Sequence, residues 1–226
     1  MFKLCYKLTA FWIIWVLCLA FLGATAFAQE ETEQKREVLL ERADKIQYDS
    51  QKETFVAQGN VVAVEGQNRI TCQELVFNLR ENTGVFSGQV VVTREKTVIQ
   101  ASRMEGDFDE ELYLFSGEVL LKKERSNEET TYIIWKASQL SFNGETEEAW
   151  SENGAEITWK EISLKADKVF YYPGDEATQQ EERIVLEGNV LITEKEREIQ
   201  VEKATYYLDS EVLDAEGVIK ATFVIE

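Results

Sequence analysis

Carboxylates are the only acid–base groups this chain holds in quantity, because it contains no histidine. That removes the commonest general base and the commonest metal ligand together. Close acid pairs such as Asp107/Asp109 and Glu147/Glu148 are of the type that glycosidases use. With 42 acidic residues among 226, however, such pairs arise from abundance alone. No G-x-S-x-G, no phosphate-cradling glycine loop and no metal-spaced cysteines occur. Asp44 and Asp167 fall at the same position of an internal repeat, which marks a structural role, since a single active site is not repeated. The sequence therefore predicts no enzyme, no catalytic residue, no metal site and no cofactor.

The first 28 residues have the form of an export signal. Lys3 and Lys7 give a positive start, the apolar run Leu8–Leu22 follows, and Ala26-Phe27-Ala28 supplies a small-x-small cleavage site. The expected product is an exported, periplasmic protein cut near Ala28. The alternative is an uncleaved inner-membrane anchor over residues 8–28, about long enough to span a bilayer. Residues 29–37 are polar and expected to be flexible. Residues 38–226 are expected to form one domain. Cys5 and Cys18 leave with the signal, so Cys72 has no partner and reads as a small buried apolar residue.

The first 28 residues carry two lysines and no acid, so their removal shifts the formal charge from −18 to about −20. A surface of that sign does not suit nucleic acid. It does not suit adhesion to an anionic membrane either. The chain is nevertheless rich in Val, Ile, Leu, Phe and Tyr, so the acids read as solvated faces of a folded structure.

The folded structure declares itself by repetition. Six copies of one pattern open at Ala43, Cys72, Ala101, Ala137, Ala166 and Val201. Successive starts are 29 residues apart, except for 36 between Ala101 and Ala137 and 35 between Ala166 and Val201. Each copy carries a glycine (Gly59, Gly88, Gly117, Gly154, Gly188, Gly217), in four copies 16 residues after the start. The opening segments place apolar residues two apart, which is strand periodicity. A polar turn follows, and then a second strand that runs through the glycine. Glycine inside a strand predicts a bend, a bulge or close backbone approach. Its recurrence predicts a layered stack in which each glycine packs on the next copy. The two enlarged spacings, around Ser126–Thr131 and Pro173–Glu182, read as projecting hairpin tips. Val38-Leu39-Leu40 reads as a short leading strand.

The phrases Ala43-Asp44-Lys45-Ile46-Gln47-Tyr48-Asp49, Ala166-Asp167-Lys168-Val169, Gly59-Asn60-Val61-Val62 and Gly188-Asn189-Val190 resemble the recurring motif of LptA/OstA-like envelope proteins. The resemblance covers about Val38 to Glu226. It implies an all-β fold: an open, twisted β-jellyroll of stacked strand–turn–strand repeats. It implies a periplasmic protein that binds and transports lipopolysaccharide, or a related envelope lipid, with acyl chains in an apolar groove. It further implies other Lpt-like envelope proteins as partners, with head-to-tail self-association through terminal strand edges in an envelope-spanning bridge. Two other readings stand beside it: a β-stack scaffold that binds no lipid, and an anchored relay resembling LptC.

The residues expected to face the lipid-binding groove are Ile46, Tyr48, Val61, Leu75, Phe77, Val90, Met104, Val119, Leu140, Phe142, Val169, Tyr171, Val190 and Ile192. An ordinary closed core is the plainer reading of any one of them. Apolar residues also occur on both strand faces near the glycines, so the sequence does not say which face lines a groove. The cluster Lys122-Lys123-Glu124-Arg125 is one candidate for meeting a phosphate-bearing partner, with a solvated hairpin as its plainer reading. The third copy has Gly106 where others place an aromatic.

Overall fold

A computed structural model describes residues 38–126, 130–175, 177–195 and 197–223. The expected signal, the anchor alternative and the polar segment 29–37 lie outside the described residues, as does the centre of the 126–131 connection. The described residues are strands and turns throughout. The strands are β1 (Val38–Arg42), β2 (Lys45–Asp49), β3 (Thr54–Glu65), β4 (Asn68–Asn78) and β5 (Thr83–Arg94). They continue as β6 (Thr97–Asp107), β7 (Leu112–Ser126), β8 (Thr130–Asn143), β9 (Ala149–Ser151) and β10 (Ala155–Trp159). The last five are β11 (Ile162–Ala166), β12 (Lys168–Tyr172), β13 (Arg183–Glu194), β14 (Arg197–Tyr207) and β15 (Leu213–Thr222). The short leading strand expected at Val38–Leu40 is β1.

All fifteen belong to one antiparallel sheet in which neighbours in sequence are mostly neighbours in space. The long strands do not run straight. Each pairing slips in register near the repeat glycine: Gln58 faces Glu74, and the next paired residue, Val61, faces Cys72. Gly59 and Asn60 both adopt left-handed backbone, with φ of 77° and 47°, and Gly188 and Asn189 repeat this at 76° and 48°. Two left-handed residues in succession turn the strand sharply, which is the effect of a bulge. The same slip recurs between successive strands. One large sheet therefore folds along a line of corners, and its two halves face each other as a β-jellyroll.

Each half contributes a cross-strand row of apolar side chains. One row runs Ala57, Leu75, Phe86, Met104, Phe115 and Leu140. The other runs Ala63, Ile70, Val92, Ile99, Leu121, Trp135, Ile157, Leu164 and Ile192. All of these are buried. At roughly 1.5–3 kcal/mol for each large side chain removed from water, these rows hold the halves together. The strand pairings fix the inward face: Val61, Val90 and Val119 point in, and Val62, Val91 and Leu120 point to the opposite face.

Five of the six repeat glycines pack within their own copy and not, as their recurrence suggested, on the next one. A Cβ on Gly59 would lie 2.4 Å from Asp44 Oδ2, and one on Gly188 would lie 2.8 Å from Asp167 Oδ2. Gly88, Gly117 and Gly217 approach Gln73, Ser102 and Glu202 in the same way. In every case the neighbour is the second residue of the same copy. Five copies thus close their own corners, while in the fourth a Cβ on Gly154 would meet nothing within 4 Å and the Gly154 amide donates to the Asp167 carbonyl of the fifth copy at 2.7 Å.

Candidate functional site

Between the two halves lies a cavity of about 220 Å³. Its apolar wall comes from both rows, with Ile70, Val92, Ile99, Leu121, Ile133 and Trp135 on one half and Met104, Tyr113, Phe115, Phe142, Ala149 and Tyr171 on the other. The space is well above what a single water molecule needs, and its wall is mostly apolar, with Asn68, Arg94, Lys123 and Glu147 among the polar residues that join it. Such a space suits hydrocarbon.

Of the residues expected to line a groove, Met104, Phe142 and Tyr171 do line this cavity. Val61, Leu75, Phe77, Val90, Val119, Leu140, Val169, Val190 and Ile192 are buried inward-facing core around it. Ile46 and Tyr48 differ: they are 55% and 58% exposed. Their register partners are Ala57 and Phe55, so Ile46 shares the inward face of the buried Ala57. They stay open because, among the described residues, β2 pairs only with β3. Ile70, Val92, Ile99, Trp135 and Ile133 line the cavity and were missed. Ile70, Ile99, Ile133 and Trp135 lie in strand stretches just before the repeat starts, and Val92 lies just past the glycine phrase of the second copy, so all five fall between the repeated phrases.

The third copy compensates for Gly106. Phe108, fully buried, sits over it, and a Cβ on Gly106 would come within 3.2 Å of the Phe108 ring. Phe108 also meets the Phe77 and Tyr113 rings at centroid distances of 5.4 and 5.7 Å. The aromatic is supplied from the following turn, so the strand pattern could not show it.

Polar contacts bridge the cavity's mouth from one edge of the folded sheet to the other. Tyr113 donates to the buried Glu65 at 3.3 Å, and Asn68 donates to the same carboxylate at 2.7 Å. Arg94, at the end of β5, donates from Nη1 to the carbonyl of Gly144 at 2.8 Å and pairs through Nη2 with Glu147 at 3.3 Å. Lys123 contacts the hydroxyl of Tyr171, which donates to Glu182 at 2.5 Å. Arg125 pairs with Glu182 at 2.6 Å and Asp209 at 2.5 Å. Lys160 reaches Glu211 further along. Burial, and then the adjacent Glu182 carboxylate, push the Tyr171 phenol far above its ordinary range, so it stays a donor.

These contacts correct two expectations. The Lys122–Arg125 stretch is not a solvated hairpin: Lys122 lies over the Tyr132 ring, while Lys123 and Arg125 turn into the mouth. The Pro173–Glu182 connection does not simply project. Its far end returns, with Glu181 accepting from the Asp209 amide at 3.0 Å and Glu182 buried beneath Arg125.

Among the described residues, no group of three or more His, Cys, Asp or Glu is gathered for a metal ion. Among them no helix is long and apolar enough to cross a membrane.

Comparison with known proteins gives three findings. Residues 73–212 match the family model described as LptA/(LptD N-terminal domain) LPS transport protein. No curated protein matches the chain. Among solved structures, a similar chain is LptH, the LptA homologous periplasmic component of the lipopolysaccharide transport device from Pseudomonas aeruginosa. It is 13% identical, covers 86% of this chain and 96% of its own, and superimposes with a TM-score of 0.31.

Proposed function

Because the chain belongs to the family of LptA and LptD N-terminal-domain LPS transport proteins, we propose that it works as a lipid conduit and not as an enzyme. Its interior takes up acyl chains of lipopolysaccharide or a related envelope lipid, and it acts in the periplasm after cleavage near Ala28. Residues 38–226 serve as one unit of an envelope-spanning bridge, with other Lpt-like proteins as neighbours. The observation that carries this reading is the apolar cavity held between the two halves of the sheet. Each Å² of apolar surface that a chain buries there contributes roughly 25 cal/mol. Among the described residues β2 pairs only with β3 and β15 only with β14, and the open edge of each is a template for strand addition.

Photo-crosslinking tests the conduit in cells. A photoreactive residue replacing Met104 or Phe142 is expected to capture lipid, whereas one replacing the exposed Glu110 is not. Absence of lipid adducts at both interior positions overturns the reading. N-terminal sequencing of the exported protein checks the processing, with Gln29 the expected first residue.

A further inference from the structure

The charges at the mouth are more than an apolar core needs for closure. Hydrocarbon edges would shut the same gap without desolvating ions, and buried pairs contribute little net stability. Yet in a chain of formal charge −18, Arg94 and Lys123 both stand in the cavity's lining, and Arg125 shares the Glu182 carboxylate with Lys123. Each faces a carboxylate from the opposite edge. A guanidinium binds carboxylate or phosphate through the same planar fork, so an anionic group of similar geometry can take the place of Glu147. Two residues of the cavity wall, Arg94 and Trp135, also hold buried N–H groups, Nε and Nε1, that find no acceptor among the described residues. A buried donor without an acceptor is unusual in a folded protein, and oxygen atoms of a ligand would satisfy it. The cavity itself, at about 220 Å³, falls below the roughly 300–1,000 Å³ typical of ligand pockets. A lipid chain of ordinary length therefore needs these bridges to open.

We propose that the bridged mouth is a head-group site for an amphiphile whose acyl chain ends in an anionic group, carboxylate or phosphate. The chain occupies the cavity while the anion displaces Glu147 from Arg94 and Glu182 from Lys123. The site thus exchanges an internal carboxylate for an external anion. This inference rests on the reading of the interior as an acyl-chain site and adds the recognition of charge at its entrance.

Exchange has a signature that a plain latch lacks: the two ends of one ion pair act in opposite directions. The purified chain from Gln29 onward, as wild type, Arg94→Gln and Glu147→Gln, is titrated calorimetrically with decyl phosphate, decanoate and uncharged decyl maltoside, each below its micelle concentration. Glu147→Gln is expected to bind an anionic amphiphile about tenfold more tightly, and Arg94→Gln about tenfold more weakly. Decyl maltoside affinity is expected to move in the same direction in both variants. Preference between decyl phosphate and decanoate identifies the anion. If both variants shift anionic and neutral amphiphiles alike, the mouth is only a latch and the head-group site is overturned, while the acyl-chain reading stands. If no amphiphile binds the wild type, the acyl-chain reading falls and this inference with it. Should Arg94→Gln fail to fold, Lys123→Gln carries the same expectation, since its side chain is a quarter exposed.

Discussion

Asn189 donates from Nδ2 to Asp167 Oδ2 at 2.7 Å, and Asn60 makes the same bond to Asp44 at 2.9 Å. The two pairs sit at equivalent corners of the first and fifth copies. Each joins the Ala-Asp-Lys phrase to the Gly-Asn-Val phrase of its own copy, so the two most recognisable fragments of the repeat are the two sides of one corner. The aspartate's backbone amide donates to the glycine carbonyl there, at 2.9 Å in both copies.

The corner predicts graded costs. Asn189→Ala removes a surface hydrogen bond and places alanine at a φ of 48°, a loss of about 1–2 kcal/mol. Gly188→Ala adds a Cβ at 2.8 Å from Asp167 Oδ2 at a φ of 76° and is expected to cost about 2–4 kcal/mol. Adding Asp167→Gly to Gly188→Ala is expected to relieve the contact but not the backbone strain, recovering part of the loss. Urea unfolding midpoints of the three variants decide it. A full recovery would show that contact alone makes glycine necessary there.

How much of this was legible follows from where the information sits. Strand alternation and the recurring glycine are local, so the strands, the corners and the inward positions such as Leu75, Met104 and Val190 could be read from one dimension. The partner of each glycine could not. A bulge and a stacking contact leave the same glycine in the sequence, and only the register slip between Gln58 and Val61 separates them. The mouth was less legible still. Arg125 and Asp209 are 84 residues apart, and nothing near Arg125 in the chain announces a carboxylate on the opposite edge. Phe108, reaching back over Gly106 from a turn, escaped for the same reason.

Arg125 is expected to be the costliest charge to remove. Its side chain is only 8% exposed and lies between Glu182 and Asp209. Arg125→Met leaves the buried Glu182 without its closest cation, a loss of about 3–5 kcal/mol. Adding Glu182→Leu removes the stranded charge and is expected to restore most of the stability. A double variant no more stable than Arg125→Met would mean that the cost lies in packing over the Trp159 ring, which the guanidinium covers at 5.1 Å. Thermal unfolding of the wild type, Arg125→Met, Glu182→Leu and the double variant measures the coupling.

Exposed apolar residues mark both ends of the sheet. Ile46 and Tyr48 lie open on β2, and Val218 and Ile219 are 63% and 66% exposed on β15. If copies of the chain add strand to strand, light scattering should show a mass that rises with concentration. Val218→Lys with Ile219→Lys is expected to weaken that association at least tenfold, by placing charge on the edge without touching the core. A monomer at all concentrations would refute self-association through these edges.

Cys72 gives a pH dependence whose sign is set by burial. The thiol is 4% exposed, opposite Val61 at a corner, with Sγ 3.2 Å from the Glu74 carbonyl. Desolvation pushes its pKa from 9.0 up to about 11, against smaller opposing effects from the backbone of Ser87 and Glu74. Between those values the unfolded thiol loses its proton while the folded one keeps it. The folded state then binds more protons than the unfolded state, so this contribution to stability is complete below pH 9 and is lost as pH rises through about 11. Tyr206, raised from 10.0 to about 12 by burial, adds a loss of the same sign one unit higher. Urea unfolding across pH 8–11 should therefore show falling stability, with a shallower slope in Cys72→Ala. Alkylation by iodoacetamide at pH 8 should be slow in the folded protein and fast in urea. Equal slopes in the two proteins, together with rapid alkylation of the folded chain, would place Cys72 at the surface and reopen it as a reactive thiol.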